Sequence, residues 1–168
     1  FSDLYMCYCG YARCRSLHSY GPAVRPNYII HYILEGKGSY SVGGTKYELE
    51  AGQGFLIEPG ALTFYQADQA DPWTYLWVGF DVKRAAEYLR GMGLGENRLI
   101  YRSSRGESLE TAVREMLRHN TYTAADQFVL EGLLYSFFGA LSEELDVMSA
   151  REAEMGSLYV RKAVEFIQ

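Results

Sequence analysis

The sequence predicts a mainly β domain, an antiparallel sandwich or barrel, followed by a helical segment. Three observations carry the prediction. Between residues 28 and 80, short apolar runs of period two are broken every few residues by Gly and Pro turns, with no helical stretch between them. After Asp81 the apolar period changes to 3.6. A chain of 168 residues, 48% hydrophobic, has the material for one cored domain, or for one domain and a fragment of another.

The expected strands follow in order. Residues 28–34 are apolar at nearly every position, as in a strand covered on both faces. A turn at 35–38 leads to an alternating run at 39–42. Gly43-Gly44 offers the positive φ of a tight hairpin, and residues 45–49 alternate again. Glycines 52 and 54 precede a run at 55–57, Pro59-Gly60 precedes 62–66, and a polar loop at 68–72 precedes a last strand at 73–80.

Asp81 is a candidate cap for a short helix through Leu89, ended by glycines 91, 93 and 95. Leu109, Val113, Met116 and Leu117 mark a second helix. The third and longest is expected from Ala124 to about Asp146, with Leu130, Leu133, Leu134, Phe137, Phe138, Leu141 and Leu145 at helical spacing. At ~100° per residue these positions and Val129 cover about half the circumference. Two readings stay open: a helix sunk deeply into its own domain, or one with two contacts, barrel and second subunit. Residues 148–157 lack an apolar period and read as a linker. Residues 158–168 start a new amphipathic pattern with Val160, Val164 and Ile167 on one face, which points to a further domain.

The net charge of -5 argues against this stretch holding nucleic acid or an anionic membrane by itself. No apolar run approaches the ~20 residues that span a bilayer. The first residues lack a signal-peptide pattern, and Cys7, Cys9 and Cys14 form no even framework, so a reduced cytoplasmic protein is expected.

Catalytic motifs are missing. His18, His31 and His119 are widely spaced, with no His-x-His pair to begin a metal site. Cys7, Cys9, Cys14 and His18 match no standard zinc spacing. There is no Gly-x-Ser-x-Gly elbow, phosphate loop or His-Glu-x-x-His. Neither metal nor cofactor is expected. Binding is better served. On the last strand Trp73, Tyr75 and Trp77 fall on one face, and Leu76, Val78 and Phe80 on the other. The first set, aromatic with N–H and O–H groups, suits a semi-polar ligand, and Thr63 and Tyr65 share a face on the preceding strand. The same set would equally suit an outer surface beneath the helices.

Four stretches resemble AraC-type transcription regulators. Residues 21–38, 52–60 and 71–80 are similar to the family's sensor domain, and 159–168 to the first helix of its DNA-binding half. The resemblance implies a cupin-like antiparallel β-barrel (jelly roll) at 1–81 and a helical dimerisation segment at 82–147. A linker at 148–157 and the first helix of a helix-turn-helix domain at 158–168 would follow. It also implies a homodimer, a small-molecule effector, often a sugar, and DNA contact only through a further C-terminal domain. Ligand stacking falls on Trp77, with Tyr75, Tyr65 and Arg25 beside it and His31 and Tyr11 as further neighbours. Arabinose-type members have a His at the position of Tyr75, so effector identity does not carry over. The dimer contact is expected at Leu130, Leu134, Phe137, Leu141 and Leu145. The competing readings are a cupin enzyme, such as a sugar isomerase or metal-dependent oxygenase, and a dimerisation module with a filled barrel.

Overall fold

The computed structural model describes residues 6–81, 83–119, 121 and 123–148. The sequence-predicted helix at 158–168 and all but Met148 of the linker lie outside the described residues. In chain order the elements are β1 (Met6–Arg13), β2 (Ser19–Val24), β3 (Tyr28–Glu35), β4 (Lys37–Val42), β5 (Thr45–Glu50), β6 (Gln53–Ile57), β7 (Leu62–Ala67) and β8 (Thr74–Phe80). Then come α1 (Ala85–Met92), β9 (Ile100–Arg102), α2 (Gly106–Arg118), α3 (Ala124–Ser142) and β10 (Asp146–Met148). All ladders are antiparallel. One sheet has the order β1-β8-β3-β6-β9-β10 and the other β2-β7-β4-β5.

The two sheets face each other as a barrel. Tyr40 from β4 crosses to donate its hydroxyl to the Leu56 carbonyl on β6 at 3.0 Å, and its ring lies 4.3 Å from that of Phe55. The other face of the larger sheet is roofed by α2 and α3, which pack on β1 and β8. Phe80 meets Phe138 edge-on there at 4.9 Å. Period two sorts β8 and the residue before it between these layers: Leu76, Val78 and Phe80 go under the helices, and Trp73, Tyr75 and Trp77 into the barrel. Each fully buried large apolar side chain contributes roughly 1.5–3 kcal/mol.

Residues 82–147 are not purely helical. β9 pairs with β6, and β10 with β9, so both extend the barrel's own sheet. Three-residue strands are too short to express a period, and β6, buried at every residue, is paired on both sides. Met148, expected in the linker, is the last residue of β10. The sequence also left β2 unassigned, because Gly21-Pro22 interrupts it; a register shift there accommodates the pair.

The expected dimer contact requires correction. Leu134, Phe137 and Leu141 have no exposed surface and lie inside the protomer, so they cannot meet a second subunit. Leu130 and Leu145 are half-buried, packed against the same core. Leu130, Leu134, Phe137 and Leu141 form one stripe of α3 that points at the sheet, and Leu145 lies past the end of that helix. On the opposite side Phe128 is 63% exposed, Tyr135 43% and Val129 40%, with Gly132 and Gly139 between them.

Candidate ligand pocket at the barrel mouth

Cross-strand pairing lines up the interior rings. His31 on β3 is opposite Trp77 on one side and Phe55 of β6 on the other. Its imidazole stacks on Phe55 at 4.4 Å and on Tyr75 at 5.2 Å, meets the edge of Tyr65 at 4.9 Å, and stands 6.4 Å from Trp77. Burial then grades along β8. Trp73 is 1% exposed and Tyr75 6%, but Trp77 is only half-buried. The interior is therefore most tightly packed at the Trp73 end, and exposure rises toward Trp77.

Arg25 stands at the Trp77 end. Its guanidinium lies 4.9 Å from the Tyr20 ring centre and 5.7 Å from that of Tyr8, and it donates to the Tyr8 hydroxyl at 3.4 Å. Tyr20 in turn stacks on Tyr65 at 5.5 Å. Among the described residues no carboxylate pairs with Arg25. A half-buried guanidinium held by phenol rings keeps donors free for an incoming oxygen.

Burial, with Arg25 nearby, pulls the His31 pKa down to about 3, so the ring is neutral. Its Nδ1 is buried without a hydrogen-bond partner. Burial pushes Tyr65 up to about 12, against the pull of Arg25, and raises Tyr75 further, so both stay protonated. Cys9 is pushed up to about 11, and Cys14 is also raised, by burial; both are free thiols. Nothing is described of the Cys7 side chain. Among the described residues no three His, Cys, Asp or Glu side chains converge as a metal site would need.

The structure thus brings Trp77, Tyr75, Tyr65, Arg25 and His31 together and leaves Tyr11 out. Tyr11 occupies the opposite face of β1, 37% exposed, with Arg114 of α2 4.6 Å above its ring. Cys9 and Tyr11 alternate with Tyr8 and Gly10, which point in, so Tyr11 points away from the barrel. Tyr8 and Tyr20 belong to the cluster, and sequence reasoning missed both. The alternation of Tyr8, Gly10 and Ala12 carried a signal, whereas Tyr20 sits beside Gly21-Pro22 and reads as turn.

A protein family described as the AraC-like ligand binding domain matches residues 8–138 of the chain. The Msm operon regulatory protein of Streptococcus mutans is 32% identical over 168 residues, covering 98% of this chain and 60% of that protein. The raffinose operon transcriptional regulatory protein RafR of Pediococcus pentosaceus is 30% identical, covering 77% and 48%. The lactose operon transcription activator of Staphylococcus xylosus is 23% identical, covering 83% and 50%. This chain spans about half to three fifths of the length of these relatives. With a match over residues 8–138, which take in Tyr8, Tyr20, Arg25, His31, Tyr65, Tyr75 and Trp77, the chain belongs to the AraC-like ligand-binding domain family.

Proposed function

We propose that this chain is the effector-sensing and dimerisation part of a cytoplasmic transcription regulator, and that its effector is a carbohydrate held at the barrel mouth. The observation that carries the reading is a half-buried indole, Trp77, near His31 Nδ1, which has no hydrogen-bond partner, and near the Arg25 guanidinium, which spends one donor on the Tyr8 hydroxyl and has others to offer. A sugar ring offers a C–H face to the indole and hydroxyls to the two polar groups. The sugar operons named for two of the relatives support the same class. The regulator names of all three favour sensing over a cupin enzyme.

DNA contact is assigned to a part of the regulator beyond this acidic chain. The homodimer is assigned to the outer face of α3, where Phe128, Val129 and Tyr135 are exposed and Gly132 and Gly139 leave open space for close helix approach. Ligand would act by favouring one arrangement of barrel and dimer helices over another.

Thermal shift and calorimetry with mono- to trisaccharides, raffinose and lactose among them, test the reading. At least one sugar is expected to stabilise the wild type and to lose affinity in Trp77→Ala. If a stabilising sugar binds Trp77→Ala equally well, the barrel mouth is not its site.

A further inference from the structure

The larger sheet contains a crossed pair of tyrosines. Tyr32 of β3, Gly54 of β6 and Tyr101 of β9 form one row of ladder partners. Tyr101, fully buried, reaches over Gly54 and donates its hydroxyl to the carbonyl of His31 on β3 at 2.5 Å. Tyr32 reaches the other way and donates to the carbonyl of Ser103, just past β9, at 2.7 Å. The rings stack at 6.4 Å. A Cβ on Gly54 would stand 2.2 Å from the Tyr101 hydroxyl and from the His31 carbonyl, so the crossing requires that glycine. These two bonds join strands that are not neighbours, with β6 between them.

We infer that Tyr101 and Tyr32 are positioning residues that make the pocket strand β3 and the β9–β10 ribbon shift as one body. The residue gripped by Tyr101 is His31, whose ring is the centre of the aromatic cluster. The residue opposite Tyr101 on its far side is Val147 of β10, the last described strand. An event at the His31 ring therefore has a short covalent and hydrogen-bonded route to β10, through the buried His31 and Tyr101 and on to Val147. The same Tyr32 hydroxyl lies close to the start of α2, where a Cβ at Gly106 would be 2.8 Å away. The inference rests on the proposed pocket for its meaning, but its first test uses no ligand.

Tyr101→Phe and Tyr32→Phe, made in the whole chain, each remove one hydroxyl and keep the ring. Amide exchange at Tyr101 and Val147 should rise about fivefold, the equilibrium effect of one lost hydrogen bond. In the same samples the Trp77 indole NMR resonance should move, because Trp77 is the ladder partner of His31. If exchange rises and the indole stays in place in both variants, the ribbon is held but not coupled, and the inference falls. If one variant does not fold, the other decides. Raffinose and lactose supply the second arm. A sugar that moves the indole and slows Val147 exchange in wild type, but only moves the indole in Tyr101→Phe, supports the coupling. Equal slowing in both overturns it. If neither sugar binds wild type, the pocket reading fails for those sugars, and the coupling is decided by the ligand-free comparison.

Discussion

The indole of Trp77 rests directly on Gly10, its partner across the β1–β8 ladder. A Cβ at Gly10 would fall 2.0 Å from the ring. Gly10→Ala therefore has to displace the indole. Overpacking of this kind costs about 1–3 kcal/mol, and the ring leaves the position facing His31. A shifted tryptophan emission and weakened sugar binding are expected; wild-type emission with wild-type affinity would mean that the indole is not seated there.

Trp77 and Phe80 lie on opposite faces of β8, and their truncations should separate binding from stability. Phe80, 1% exposed against Phe138, should cost roughly 3–5 kcal/mol on Phe80→Ala. Trp77→Ala should cost less in urea unfolding but about thirtyfold in sugar affinity, the effect of losing an anchor worth ~2 kcal/mol. The opposite ranking in unfolding experiments would exchange the roles of the two faces.

Two glutamate substitutions on α3 should behave differently. Leu134→Glu places a charge where there is no exposed surface, and loss of folded protein by circular dichroism is expected. Phe128→Glu changes a residue 63% exposed, so folding should change by no more than about 0.5 kcal/mol. Sedimentation should then show the dimer giving way to monomer. A Phe128→Glu protein that stays dimeric would move the interface off this face of α3.

His31 sets a pH dependence whose sign follows from burial. Its folded pKa is near 3, below the ordinary 6.5, so between these values the unfolded chain binds the proton and the folded one does not. This contribution to stability is fully present above 6.5 and declines as pH falls toward 3, approaching about 1.4 kcal/mol per pH unit. Urea unfolding from pH 7 to 4.5 should show a steeper acid loss for wild type than for His31→Phe. Parallel curves would mean that the ring already titrates normally in the fold.

The barrel strands from 28 to 80 and the three helices were legible in the sequence because each carries several repeats of its period. Trp73, Tyr75 and Trp77 were separable from Leu76, Val78 and Phe80 for the same reason: adjacent residues of a strand point to opposite sides. The direction of each side was not. Two aromatic-compatible layers flank this sheet, and only the packing of Phe80 on Phe138, with His31 between Phe55 and Tyr75, settles which set faces the barrel.

Alternation and helical spacing therefore determined the element types and the grouping of residues into faces, both properties of neighbouring residues along one chain. Tertiary structure decided that Leu134, Phe137 and Leu141 are inside the protomer while Phe128 and Tyr135 are outside. It decided that Tyr8 and Tyr20 join Arg25 at the mouth while Tyr11 turns away. It also formed β9 and β10 from three residues each. These outcomes depend on which surfaces meet across long stretches of sequence, as when residue 101 bonds to residue 31. Local periodicity carries no information about such meetings, because burial is shared between elements and not encoded within one.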